Sequence, residues 1–450
     1  MSEPFNLIMA GDKIASSSSA DARWHARLAA LLAASGRHES AASHFRRALQ
    51  GLQQDGARPE EDAQRRRLQW QFELAAVETK RGRRQAAIGL YEEVLQADPE
   101  CVEALINLAA QLAIADATRL QDALQLCEQA LALRPDVAEA HYNRNMLLRR
   151  LGRQQEAVAM YWECLARDLG ADTIRETMPD ELARAVLPVD GQSREGRAGK
   201  PSVVPSEDTT CNQASDGDGV AVVCVKWGAK YGPEYVNKLY NSVTRHCGEL
   251  QVTFVCLTDN SDGVDLHDNL RVLPLPDGWK GWWNKCHLFS SEMSAKLRAL
   301  GHSRCLYMDL DTVIVGSLVD LLAWTPPVGV LALLKTDEMA NEQRAGGYNS
   351  SIMAWRNVSD EELGPLQFVY SFLHSHFTAV TKYIYKFDHW LEMAHPEACF
   401  LENTFPNQIV EYRSLDESAA TPPPNASVVC FPLLPKPHGA TSTWLAHHWV

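Results

Sequence analysis

Between residues 41 and 165, small and large apolar residues return at helical spacing. Ala87, Tyr91, Val94, Leu95 and Pro99 are followed by Ala123, Cys127, Ala130, Leu131 and Pro135, then by Ala157, Tyr161, Cys164 and Leu165. An earlier copy reads Ala41, Phe45, Ala48 and Leu49. Leu95 to Leu131 is 36 positions and Leu131 to Leu165 is 34. A small and a large residue at i and i+4 share one helix face, so the small one admits a neighbouring helix and the large one fills the gap. Gly36-Arg37, Gly82-Arg83 and Gly152-Arg153 each stand five positions before the alanine. Glycine ends the first helix of each pair and proline stops the second. The pattern predicts an all-α array of two-helix repeats.

From residue 220 the period changes. Residues 220–225 are a continuous β-branched run, which predicts a strand buried on both faces of a mainly parallel sheet. A helix is expected over 233–246, with proline in its first turn. Strands are expected over 251–258, 270–273, 304–308, 328–334 and 350–355, and helical spacing runs over 283–300. Strands interleaved with helices give an α/β domain, which binds ligands at the carboxyl ends of its strands. Residues 188–219 are rich in Gly, Ser, Asp and Pro, without a periodic apolar pattern, and read as a flexible tether. The expected organisation is a helical-repeat domain over 20–187, a linker over 188–219 and an α/β domain over 220–450.

Composition narrows the function classes. A chain of 450 residues fits two domains. Its formal net charge of -14 excludes a general nucleic-acid binder, which must neutralise phosphates. The basic stretch around Arg65, Arg66, Arg67, Arg81, Arg83 and Arg84 reads as a solvated helix face. Residues 1–20 lack a basic start followed by an apolar run, and no segment is apolar for long enough to span a bilayer. The eleven cysteines include no Cys-x-x-Cys pair, which suggests reduced thiols and a cytoplasmic protein. Cys224, Cys256 and Cys305 sit in apolar runs as small buried hydrophobes. Sequons begin at Asn349, Asn357 and Asn425, and carry no weight without a secretory route.

The chemistry concentrates in Tyr307-Met308-Asp309-Leu310-Asp311. Two carboxylates stand where a buried strand ends, and alternation along an extended chain points both to one side. They repel unless a cation or hydrogen bonds offset them. A hard divalent ion with oxygen ligands does so, and it can also hold a diphosphate and stabilise it as a leaving group. Such a cofactor would be Mn2+ or Mg2+. No Gly-x-x-x-x-Gly-Lys loop is present.

Two family resemblances follow. Over roughly residues 20–170 the repeat resembles the tetratricopeptide repeat, whose array presents a surface for a protein or peptide partner. Leu306 to Val315, followed by Gly316-Ser317-Leu318, closely resembles the metal-binding segment of GT-A fold glycosyltransferases, especially glycogenin-like and related bacterial enzymes. That resemblance implies that Asp309 and Asp311 hold manganese and the diphosphate of a nucleotide-sugar donor, a uridine diphosphate sugar. It also implies donor contacts from Lys226, Trp227, Lys230 and Tyr231 in the loop after the first strand. Lys285, in Trp282-Trp283-Asn284-Lys285, would pair with the diphosphate. Gly346-Gly347-Tyr348-Asn349-Ser350-Ser351 resembles a sugar-binding turn, and Phe387-Asp388-His389-Trp390 takes the place of a Gly-Asp-Gln element. Asn349 and Asp388 are thereby candidate sugar or catalytic contacts. The family's closing His-x-Gly element, which completes the metal site, is absent. Pro432 and Leu433 stand in its place, followed by Lys436-Pro437-His438. Lys436 is a candidate phosphate contact and His438 a candidate metal ligand. The leading expectation is a metal-dependent glycosyltransferase whose repeats recruit a protein. The alternatives are a scaffold with a degenerate transferase domain, or a metal-dependent nucleotidyltransferase or phosphohydrolase.

Overall fold

A computed structural model of the chain describes residues 18–54, 61–179, 182–183, 219–336, 347–361 and 363–450. The chain divides into two compact units, Met1–Leu151 and Gly152–Val450.

The first unit is all-helical. Its described helices are α1 (Ser18–Ala34), α2 (His38–Gln54), α3 (Glu61–Lys80), α4 (Arg84–Ala97), α5 (Val102–Ala115), α6 (Leu120–Leu133) and α7 (Ala138–Arg150). Each packs on the next. The repeat positions form the core: Ala41, Ala48, Ala87, Ala123 and Ala130 are completely buried, with Phe45 and Tyr91 beside them. Gly36 and Gly82 adopt φ of 77° and 72°, a left-handed conformation that ends a helix. Arg37 N–H then bonds back to the Leu32 carbonyl and Arg83 N–H to that of Glu78.

The basic stretch is not uniformly a solvated face. Glu78 is fully buried and accepts from Arg46 and Arg81, and Arg81 reaches on to Glu39. Arg81 is only 5% exposed, so it belongs to an internal ion-pair network. Carboxylates from α2 and α3 reach it where the two helices meet, which a linear reading of charge does not show.

The second unit opens with α8 (Gln154–Leu169) and a short helix, Ala171–Thr177. Repeat residues Ala157, Tyr161 and Cys164 are buried here too. The completely buried Trp162 packs against Phe368, Phe372 and Trp390 and donates its indole N–H to the Met393 carbonyl at 3.3 Å. Asp168 pairs with Lys382 and Tyr383. The helix of the last repeat copy therefore shares a compact unit with the sheet. The expected tether, apart from Gly219, lies outside the described residues.

The main sheet contains β1 (Val220–Lys226), β2 (Val252–Thr258), β3 (Leu270–Pro274), β4 (Arg304–Met308), β6 (Ala332–Lys335), β7 (Tyr348–Arg356) and β8 (Cys399–Phe400). Its order is β3-β2-β1-β4-β7-β6-β8. The contacts within β3-β2-β1-β4 and between β6 and β8 are parallel; β7 runs antiparallel to both neighbours. It is a mixed sheet of mostly parallel strands. β5 (Thr312–Ile314), β9 (Ile409–Glu411) and β10 (Val428–Cys430) form a smaller sheet in the order β5-β10-β9.

Three segments depart from expectation. The 283–300 run is two elements: a 3-10 helix, Gly281–Phe289, and an α-helix, Ser291–Ala299. Ser290 divides them, its hydroxyl capping the second helix by accepting from Met293 N–H at 3.1 Å. The 328–334 strand shortens to Ala332–Lys335, because Pro327 to Val330 closes a turn with Gly329 at φ 75°. Asn349, Ser350 and Ser351 lie in β7 rather than in a turn, and Gly346 lies outside the described residues. Among the described residues, no helix is long and apolar enough to cross a membrane.

Candidate active site

Topology fixes the location. From β1 the chain moves outward through β2 and β3, then returns to place β4 on the other side of β1. Strand order reverses there, and the crevice beyond the carboxyl ends of β1 and β4 is where such sheets hold ligands. Asp309 follows directly on β4. The Asp309-Leu310-Asp311 step is a turn rather than extended chain, closed by Thr312 N–H on the Asp309 carbonyl. The turn still brings both carboxylates to one site, while Leu310 drops into the core.

The smaller sheet delivers the opposite wall. β5 begins at Thr312, and Cys430 at the end of β10 lies opposite it in register. Because the pair is antiparallel, Asp311 before β5 and Phe431 after β10 lie at the same end of the small sheet. Close pairing continues at Gly316, where an added Cβ would come within 2.7 Å of the Ala426 carbonyl. Only glycine fits there.

Each carboxylate carries its own lysine. Lys285, from the 3-10 helix, lies 2.8 Å from Asp309 Oδ1. It also donates to the Ser350 carbonyl and hydroxyl, both at 3.1 Å. Lys436 donates to Asp311 Oδ2 at 2.6 Å and to the carbonyls of Phe431 and Pro432 at 2.5 and 3.1 Å. An ammonium has three N–H groups, so all those of both lysines are engaged. Two phenols complete the set: Tyr231 donates to Asp311 at 2.7 Å and Tyr307 to Asp309 at 2.5 Å.

Burial governs the protonation of these groups. It pushes the Asp309 carboxyl above its ordinary range; Lys285 opposes the rise and the Asp311 charge adds to it. Burial first, then Asp311, raises the Tyr231 phenol; burial, then Asp309, raises Tyr307. Tyr235 is pushed up to about 12 by burial and the charges of Asp311 and Glu234. The phenols are thus neutral donors at ordinary pH.

The other sequence candidates divide. Asp388 stands in the first turn of the Phe387–Ala394 helix and accepts the Ser350 N–H at 3.0 Å. It therefore positions the residue that seats Lys285. Asn349 is buried and accepts the Ser351 N–H at 2.9 Å, one residue from that seat. His438 bonds through Nδ1 to the Tyr235 hydroxyl, and the Tyr235 ring packs against Tyr231, the phenol that donates to Asp311. Lys226 is buried and donates to the Asn260 carbonyl at 3.1 Å, which ties β1 to the turn after β2. Lys230 is exposed over the Tyr231 ring, and half-buried Trp227 lies beside Gly281. Asn357 is 1% exposed and Asn349 7%, so neither sequon presents a surface asparagine.

Comparison with known proteins gives the repeats a name. A tetratricopeptide-repeat family model matches residues 112–163. The N-terminal region carries tetratricopeptide repeats. No curated protein matches the sequence. Among solved structures, TTC0263, a tetratricopeptide protein of Thermus thermophilus, is 23% identical over 36% of this chain and 86% of its own, with a TM-score of 0.26. YrrB, a tetratricopeptide protein with an unusual peptide-binding site, is 19% identical over 30% of this chain and 63% of its own, with a TM-score of 0.25. WbbM, a bifunctional glycosyltransferase, is 12% identical over 49% of this chain and 47% of its own, with a TM-score of 0.34. The chain thus spans less than half of WbbM, and the chemistry of the C-terminal site rests on its own residues.

A divalent ion was the expected partner of Asp309 and Asp311, and the donor set as placed does not fit one. Two ammonium groups already sit on the two carboxylates, so the formal charges cancel. The attraction each aspartate offers a dication is opposed by its own lysine. No third His, Cys, Asp or Glu joins the pair into a metal-holding group among the described residues.

Proposed function

We propose that the C-terminal unit is a glycosyltransferase that takes its sugar from a nucleoside diphosphate donor, probed first as a uridine diphosphate sugar. The observation that carries this reading is the carboxylate pair, Asp311 buried and Asp309 partly exposed, with its lysines at the β1/β4 switch point. The resemblance of residues 306–318 to GT-A enzymes supplies the reaction class. In the transfer, an acceptor hydroxyl oxygen bonds to the anomeric carbon. The bond from that carbon to the diphosphate breaks, its electron pair leaves with the diphosphate, and the acceptor's proton passes to the released oxygen. The site's task is to hold the diphosphate and offset its growing charge. The tetratricopeptide repeats supply the means to bring a protein partner, as acceptor or carrier.

The test is release of uridine diphosphate from a panel of donor sugars by wild type and Asp311→Asn. Turnover lowered at least about tenfold in the variant supports the reading; equal turnover removes the carboxylates from the reaction. A second reading, a repeat scaffold with an inert transferase domain, draws on the saturation of both lysines by internal partners. A chain that binds no uridine diphosphate favours it.

A further inference from the structure

The disagreement between the expected divalent ion and the observed donor set points to a different source of positive charge. We propose that Lys285 and Lys436 take the ion's place, so that the site binds and discharges a nucleoside diphosphate without a metal. This rests on the nucleotide-sugar reading above.

The two lysines approach from separate elements, one from the 3-10 helix and one from the loop after β10, and each meets one carboxylate. Both are largely buried, with side chains 12% and 8% exposed. The aspartates thereby act as counter-ions that hold the two ammonium groups in place. Of each lysine's three partners, only one is charged; the others are neutral oxygens of Ser350, Phe431 or Pro432. An incoming phosphate oxygen offers a charge-assisted bond in exchange for a neutral one. The ammonium is a compact charge with rotatable donors, so it can make that exchange without leaving its carboxylate. As the bond to the anomeric carbon breaks, the pair retained by the departing oxygen is met by these two charges.

Pro432 agrees with this assignment. It stands where the GT-A resemblance has the metal-binding histidine, and it offers no ligand atom on its side chain. Its carbonyl instead accepts from Lys436 at 3.1 Å. The position that would complete a metal site thus helps to seat an ammonium. His438, the remaining imidazole candidate, is engaged with Tyr235.

The deciding experiment is calorimetric titration of uridine diphosphate into the full-length chain, once with excess chelator and once with Mn2+, alongside Mn2+ alone. We expect uridine diphosphate affinities within about twofold of each other, and no saturable Mn2+ binding by the free protein. Lys436→Met and Lys285→Met, shown by circular dichroism to be folded, should each weaken binding at least about tenfold. Binding that appears only with Mn2+ overturns the metal-free assignment and leaves the nucleotide-sugar reading standing. Folded lysine variants that bind like wild type overturn it as well. Absence of binding under both conditions defeats the nucleotide-sugar reading itself, and the inference with it. The wild-type titrations decide even if neither variant folds.

Discussion

Trp162 offers the sharpest test of how the second unit is built. It lies on α8, within the sequence repeat, yet its indole is completely buried against Phe368, Phe372 and Trp390. Removing roughly 200 Å² of aromatic surface from water is worth about 5 kcal/mol as an upper bound. Large-to-small replacement of a buried tryptophan costs about 3–5 kcal/mol. The lost bond to the Met393 carbonyl falls within that figure at about 1 kcal/mol. Trp162→Ala should therefore destabilise the second unit by about 4 kcal/mol. Trp162→Phe, which keeps a ring and loses the N–H, should cost about 1–2 kcal/mol. The assay is urea unfolding of the full chain, with the relevant transition identified by hydrogen-exchange protection of the β1 and β4 amides. A loss below about 1 kcal/mol for Trp162→Ala, with unchanged urea dependence, would show that α8 is not part of the sheet's core. The same packing implies that a fragment beginning at residue 152 is more stable than one beginning at 220.

Three further outcomes are expected. Burial, reinforced by His374 and opposed by Glu292, holds His287 down to about 4, and burial holds His395 down to about 4. The unfolded chain then binds more protons between pH 6.5 and 4, so stability is full above 6.5 and falls as pH drops through that window, by about 3 kcal/mol for each. His287→Phe, which removes two ring nitrogens left without a partner among the described residues, should flatten that limb in pH-dependent urea melts; an unchanged limb counts against it. Glu78→Gln removes the buried carboxylate that Arg46 and Arg81 share, leaves Arg81 only the exposed Glu39, and should cost the first unit about 3 kcal/mol in thermal or urea melts; a loss under about 1 kcal/mol would mean the network is solvated. Asp388→Ala should weaken uridine diphosphate binding by about threefold to tenfold through Ser350 and Lys285, while Asp388→Asn, which retains an acceptor oxygen, should restore it; equal loss in both would make the charge itself the requirement.

Local pattern revealed much of the fold because local pattern generates it. The β-branched run of β1 and the proline-led helix Pro233–His246 lie close to where periodicity puts them. The alanines at repeat spacing are buried because nothing larger would let the helices approach. The break at Ser290 was legible in principle, since Ser290-Ser291-Glu292 carries a helix-start signal, but the apolar spacing runs straight through it. The site was legible only in part. Asp309 and Asp311 stand out as a motif, and Tyr307 could have been added, because strand alternation puts it on the side of Asp309. Their lysines could not be assigned from spacing. They come from 24 and 125 residues away, and only pairing between β5 and β10 brings Lys436 to Asp311. The pairing of Asp388 with Ser350 likewise depends on a helix packing against β7.

The most direct measurement is a crystal structure of the full chain soaked with uridine diphosphate in metal-free buffer. The account predicts diphosphate oxygens about 3 Å from the Nζ atoms of Lys285 and Lys436, beside Asp309 and Asp311 at the end of β4. A nucleotide bound away from the β1/β4 crevice, or a lysine–aspartate cluster unchanged with no nucleotide beside it, would contradict it.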